Sequence, residues 1–277
     1  MWKQKMCLNV STGFGLDPLD QIRLFKKIGF DGFFSEYTTR EDIAEQRRVA
    51  DEVGMIFQSV HAPYVKMNEM WTDHGEAATA ELIECVTACA ENNVPIMVAH
   101  TFIGFKDHSP NEFGLENFGK VVEAASKLGV KVAFENTEGE EYLFAVMEHF
   151  KNEPCVGFCL DTGHEMCYNH SQDLLARFGD KLIATHINDN LGIRDFNGEI
   201  TYIDDLHLLP FDGVADWQGI VDRLNAHGFD GPLTFELGRV SKPHRHENDF
   251  YAEMPIEKYL TLAYMRACRV ATMKLKK

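Results

Sequence analysis

This 277-residue chain has no long apolar run, no CxxC pair, no linker rich in proline, glycine and serine, and no surplus of basic residues. Each absence removes a class of protein. The longest stretch free of Asp, Glu, Lys and Arg runs from Asn92 to Phe105, short of the roughly 18 to 20 residues a membrane span requires. The opening MWKQKMCLNV carries charge ahead of only a brief apolar run, unlike a secretory leader, so the expectation is a soluble, unexported chain with no membrane partner. Seven cysteines, an odd number without zinc-knuckle spacing, argue against a disulfide framework and point to a reducing, cytoplasmic setting. Each reads as a small buried hydrophobe.

Basic charge is also scarce. Lys and Arg number 27 against 43 Asp and Glu, a net charge of −16. Proteins that bind phosphodiester backbones gain affinity by neutralising phosphates with Lys and Arg. The densest basic stretches here are Pro243 to His246 and the terminal KLKK, which read as a solvated loop and a solvated helix end. Nucleic acid is disfavoured as a partner. No glycine-rich phosphate cradle appears, which leaves phosphorylated and free small molecules equally open.

What is present is alternation. Apolar strand-like runs lie near Met6–Val10, Gly32–Glu36, Ile56–Val60, Ile96–His100, Lys131–Glu135, Gly157–Leu160, Leu182–Ile187 and Leu233–Leu237. Between and after them, apolar residues at i, i+3, i+4 spacing predict helices over Pro18–Lys27, Glu41–Glu52, Glu76–Glu91, Glu112–Leu128, Glu141–Phe150, Ser171–Phe178, Asp216–His227 and Pro255–Met273. IGFDG, HGFDG and KLGVKV place glycine between a helix and the next strand. Eight such units predict a parallel sheet closed into a single (β/α)8 TIM barrel, one domain over residues 1–277; composition, 45% hydrophobic and 25% charged, fits one such globular unit. Two connections are long: Asn188 to Ala215, of a length often used for lids and binding loops, and Arg239 to Met254.

Six of the strands end on a metal-ligating residue type: His61, His100, Glu135, Asp161, His186 and Glu236. At one end of a barrel such residues converge. Strand parity supports this. The residues two positions earlier, Ser59, Val98, Ala133, Cys159, Ala184 and Thr234, share the ligands' face and are mostly small, while Val60, Ala99, Phe134, Leu160, Thr185 and Phe235 alternate toward the helices. Glu135, Asp161, His186 and Glu236 form the core of the expected centre, a mostly oxygen set suited to a divalent Mn, Co, Mg or Zn ion. Around it stand His61, His100, His164, Asp205 and His207; Asp205 and His207, two apart on an extended segment, are expected to point the same way. Phe14, Tyr37, Tyr64, Trp71 and Phe102 lie near strand mouths, where Trp71 in particular is a candidate to stack on a substrate, and Arg239 is placed to reach a substrate hydroxyl or phosphate.

The order HAP, AH, FEN, LDTGH, THINDN, DLH and FEL resembles the xylose isomerase-like TIM-barrel superfamily, which contains sugar isomerases and epimerases, inosose-type dehydratases and the endonuclease IV class of abasic-site nucleases. The resemblance runs from Met6 to about Leu237. It implies a metal held by Glu135, Asp161, His186 and Glu236. In the nuclease branch it further implies a second metal on His61, His100 and Glu135, and a third on His164, Asp205 and His207. In the sugar branch it implies a single metal, substrate contacts from His61, His100, His164, Asn188 and His207, and Glu135 and Glu236 as an acid/base pair acting through an enediolate, with His164 assisting proton movement. The small-molecule carbohydrate reading is preferred on charge, isomerase or epimerase first and dehydratase or lyase next, the chain acting alone or as a homo-oligomer. LPFDGVADW departs from the pattern, with Phe211 and Asp212 interrupting a Pro/Leu-Gly-x-Gly turn.

Overall fold

A computed structural model describes residues 4–106, 109–193 and 199–275. Eight strands, β1 (Met6–Asn9), β2 (Gly32–Glu36), β3 (Ile56–His61), β4 (Ile96–Ala99), β5 (Lys131–Glu135), β6 (Val156–Asp161), β7 (Leu182–His186) and β8 (Leu233–Phe235), form one parallel sheet. The helices are α1 (Pro18–Ile28), α2 (Arg40–Val53), α3 (Glu76–Glu91), α4 (Glu112–Leu128), α5 (Glu140–His149), α6 (Thr162–Cys167), α7 (Leu175–Phe178), α8 (Trp217–Ala226), α9 (Asp249–Ala252) and α10 (Ile256–Ala271). Neighbouring strands pair in chain order, and β1 also pairs with β8. The seam between β7 and β8 is joined just past β7, where Ile187 N–H donates to Thr234 O at 2.8 Å and Glu236 N–H to Ile187 O at 3.1 Å. The result is the expected (β/α)8 barrel. Among the described residues no helix is long and apolar enough to cross a membrane.

Local chemistry explains the element ends. Asp17, Thr39, Asn111 and Asp216 each turn a side-chain oxygen onto the first backbone amides of α1, α2, α4 and α8, supplying acceptors to groups with no partner inside the helix. Gly54 (φ 67°) and Gly129 (φ 73°) close α2 and α4 in the left-handed region, where a side chain would clash.

Parity sorts the strand residues into two layers. Val98, Ala133, Cys159 and Ala184 pack inside the barrel with Ile96, while Val60, Ala99, Phe134, Leu160 and Phe235 join the larger core between sheet and helices. The small-residue floor breaks at β2: Phe34 packs its ring on His186, with centroids 4.4 Å apart and planes at 14°.

Three departures from the sequence pattern have local causes. His170 (φ 54°) and Ser171 (φ 55°) are left-handed, so the helix predicted over Ser171–Phe178 survives only as α7, and a helical turn, α6, starts directly after β6 instead. Lys274 of the terminal KLKK is buried and donates to Phe229 O at 2.7 Å; Lys276 and Lys277 lie outside the described residues. The connection Asn188–Ala215, of which 194–198 lie outside the described residues, is pinned at its base by Asp189. Its carboxylate accepts from Phe211 N–H (2.9 Å), Ala215 N–H (3.0 Å) and Trp217 Nε1–H (3.1 Å). Phe211 itself sits at φ 74°, backbone that favours glycine. Its ring is held against Trp217 and beneath the Arg269 guanidinium at 3.8 Å, which accounts for a bulky residue at the interrupted turn.

Candidate metal centre

The C-terminal ends of the strands bring all nine anticipated ligand-type residues into three adjoining groups. Glu135, Asp161, His186 and Glu236 form one, His61, His100 and Glu135 a second, and His164, Asp205 and His207 a third; within each, the ligating atoms lie within 4.8 Å of one another. His186 Nδ1 is 2.8 Å from Glu135 Oε1 and 2.9 Å from Glu236 Oε2. Glu135 Oε2 in turn faces His61 Nε2 at 3.2 Å and His100 Nε2 at 3.3 Å. His164 Nε2 and His207 Nε2 flank Asp205 at 3.5 and 2.8 Å.

Surrounding groups fix these side chains. His61 Nδ1–H donates to Ala62 O at 2.8 Å and His164 Nδ1–H to Asn136 O at 2.9 Å. Each bond leaves Nε2 turned toward a carboxylate, and a cation is required between them, either a proton or a metal ion. Asp161 accepts from His164 N–H (2.7 Å), as the N-cap of α6, and from Asn188 Nδ2–H on both oxygens (3.2 and 2.9 Å). Gly163 permits this approach, since a Cβ there would overlap Asn188 Oδ1.

The donor set fits a divalent ion. Four carboxylates and five imidazoles share a largely buried space, and burying anions without countercharge is costly. Glu236 Oε2 and Asp205 Oδ1 are sealed from solvent yet receive no aligned hydrogen bond. Protons supply the countercharge in the metal-free state. Burial alone would raise Glu236, but His186 and His207 outweigh it and hold its carboxyl at about 2. Glu135 is likewise held well below the usual carboxylate range, burial being overcome by His186, His100 and His61. Conversely, burial disfavours charged imidazoles, yet Asp205 and Glu236 lift His207 to about 9, Asp161 and Asp205 lift His164, and Glu135 and Glu236 lift His186 well above the ordinary value. Asp161 goes the other way. Burial, reinforced by Glu135 and Glu236, pushes it up to about 6 against the pull of His164.

The groups open into a cavity of about 530 Å³ whose mouth carries Glu36, Tyr64, Glu138, Tyr168, Tyr202 and Lys242, within the size range of small-molecule sites. Tyr64 stacks over His100, centroids 5.0 Å apart, so of the anticipated aromatics it faces the site. Phe14 and Phe102 are core residues. Two substrate-contact expectations are corrected. Trp71 is buried against Phe118 and Tyr142, and its Nε1–H is spent on Thr101 O at 2.7 Å. Arg239 turns its guanidinium onto the carbonyls of Tyr251, Ala252 and Met254 and ties down the last long loop. Asn188, expected at the substrate, is fully buried on Asp161. His207 is not on extended backbone but at φ 49°, and it is this turn that brings its ring to Asp205. Glu36, overlooked in the sequence, ends β2 beside His61 and carries the same strand-end signature as the others. Lys242 and Tyr202 sit in the long connections, where no periodicity marks them.

A family model described as xylose isomerase-like TIM barrel matches residues 22–254. Among curated proteins, the uncharacterized protein y4fM of Sinorhizobium fredii is 39% identical over 102 residues, 36% of this chain and 30% of that protein. Probable endonuclease 4 of Mycoplasma capricolum is 28% identical over 157 residues, 47% of this chain and 52% of that protein. These matches span about a third and about half of the two relatives' lengths. Among solved structures, a 3-keto-D-glucoside 4-epimerase from E. coli superposes with a TM-score of 0.70 at 18% identity, covering 96% of this chain and 100% of that one. D-psicose 3-epimerase from Clostridium cellulolyticum H10 superposes at 0.68 and 14% identity, covering 99% and 100%.

Proposed function

Because the chain belongs to the xylose isomerase-like TIM-barrel family, we propose that it is a metal-dependent isomerase or epimerase of a sugar or sugar-like polyol. The observation that carries this reading is the placement of Glu135 and Glu236, from β5 and just past β8, within 3 Å of the same His186 nitrogen at the floor of a small-molecule cavity. Glu135, Asp161, His186 and Glu236 would hold the ion. When bound, a divalent cation there supplies Lewis acidity toward a carbonyl and its neighbouring hydroxyl.

The protein's own groups provide the rest. Glu135 and Glu236 are held ionised, so a carboxylate stands ready to take the proton from the carbon beside a carbonyl, and its partner to serve the return step. His164, locked by Asn136 O, faces the cavity and binds or deprotonates a hydroxyl. His61 and His100 close the opposite wall. The similarity in fold to sugar epimerases supports the substrate class. The test is solvent deuterium incorporation beside the carbonyl, over a panel of ketoses and inososes, with metal-loaded protein. Exchange is expected on at least one; none across the panel overturns the proposal. If proton loss is followed by departure of a β-hydroxyl, the same site is a dehydratase or lyase, and an unsaturated product identifies it.

A second reading has its own support. The nine residues in three groups are the set the nuclease branch would use, and one partial relative is a probable endonuclease. The charge of −16 weighs against DNA. Cleavage of abasic-site DNA at physiological salt would establish it.

A further inference from the structure

We propose that the outer group His164, Asp205 and His207 binds a substrate hydroxyl rather than a metal ion, with the Lys242 ammonium as its permanent countercharge. The inference rests on the small-molecule reading above and assigns Lys242 as a specificity-determining residue. Lys242 reaches back from the loop after β8 to place Nζ 3.6 Å from Asp205 Oδ2. That same oxygen accepts from His207 Nε2–H at 2.8 Å. A divalent ion coordinated by all three residues would have to displace the His207–Asp205 hydrogen bond and sit beside a fixed positive charge, in a partly buried setting where like charges are poorly screened.

What the arrangement leaves free suits a neutral hydroxyl. Asp205 is 9% exposed and its Oδ1 has no hydrogen-bond partner although it borders the cavity. It is an acceptor waiting for a donor. Lys242 lines the same cavity, its side chain 30% exposed, and an ammonium has three N–H bonds, so one can face Asp205 and another a substrate oxygen. A hydroxyl placed there donates its hydrogen to Asp205 Oδ1 and accepts from Lys242, satisfying a buried acceptor that otherwise costs stability. A bare metal ion would satisfy the acceptor only against the lysine's repulsion.

Metal content decides it. Full-length protein is saturated with zinc, freed of excess and counted for zinc per chain by mass spectrometry, as wild type, Lys242→Met, Lys242→Arg, His207→Gln and the Lys242→Met/His207→Gln pair. The wild type and His207→Gln are expected to hold equal zinc. Lys242→Met is expected to gain one zinc per chain, which the pair loses again, while Lys242→Arg stays at the wild-type count. Loss of one zinc in His207→Gln alone, or no gain in Lys242→Met, overturns the proposal. For a substrate that exchanges deuterium, Lys242→Met is also expected to raise KM at least tenfold with kcat changed less; an unchanged KM overturns the hydroxyl contact. The zinc counts do not depend on turnover. A failed exchange assay with the expected counts therefore sinks the isomerase reading and leaves the missing outer metal standing.

Discussion

Glu236 carries more of the proposed chemistry than any other residue, because it is both near His186 and open to the cavity. Its partner Glu135 is 1% exposed and surrounded by three imidazoles, whereas the Glu236 side chain retains 19% exposure and lines the cavity wall. A carboxylate held at about 2 is a weak base in water but is fully ionised at every working pH, so its effectiveness comes from position. Glu236→Gln keeps an oxygen for a metal and removes the base. Deuterium exchange at the carbon beside the carbonyl is expected to fall by about 10²- to 10⁴-fold, while zinc or manganese per chain, measured on the same sample, stays near the wild-type value. A variant that loses metal but keeps its turnover per bound ion would make Glu236 a ligand and nothing more.

At the level of elements, the sequence shows the barrel and its ligand ring because period-two burial writes itself directly into residue choice. Strands that are apolar on both faces must carry their polar residues at their ends, and His61, Glu135, Asp161, His186 and Glu236 are therefore visible without coordinates. Side chains whose polar atoms are consumed by backbone are not visible in this way. Trp71 and Arg239 have the composition of substrate contacts, yet Thr101 O and three loop carbonyls claim them, and only the tertiary path of the chain decides that. The turn at His207 is hidden for the same reason, since a positive φ in a non-glycine residue has no sequence signature. Between these extremes lies Gly163 of the LDTGH segment. It reads as part of a motif, and the structure supplies the cause: the first turn of α6 packs so closely on Asn188 that a methyl group would strike its amide, the amide that holds both oxygens of Asp161. Gly163→Ala is expected to cost about 1–3 kcal/mol in chemical denaturation and to weaken metal binding by about 10- to 100-fold through loss of the Asn188–Asp161 bonds. Unchanged metal affinity in a folded variant would show that Asn188 has another way to reach Asp161.

For the whole molecule, the protons gathered in the metal-free site link its stability to pH, and the sign follows from the shifts. His207 is raised from 6.5 to about 9, so its contribution is fully present below about 6.5 and is lost as pH rises through about 9. A shift of that size corresponds to something on the order of 3 kcal/mol. Glu236, lowered from 4.5 to about 2, contributes above about 4.5 and loses that contribution only as pH falls through about 2. Asp161, raised to about 6, adds a penalty once it ionises above that value. All three place the stability maximum of the metal-free protein between about pH 4.5 and 6. Between pH 6.5 and 9 its melting temperature is expected to fall by roughly 5–10 °C, taking about 2–4 °C per kcal/mol for a chain of this size. Metal binding reverses the trend at the inner centre, because His186 is raised well above its ordinary value and must give up a proton to become a ligand, so affinity grows about tenfold per pH unit for each proton released. Calorimetric melting of chelated and manganese- or zinc-loaded protein across this range checks both halves: the gap between the two curves should widen with pH, and a chelated protein that melts higher at pH 9 than at pH 6 would show that protons do not hold the empty site together.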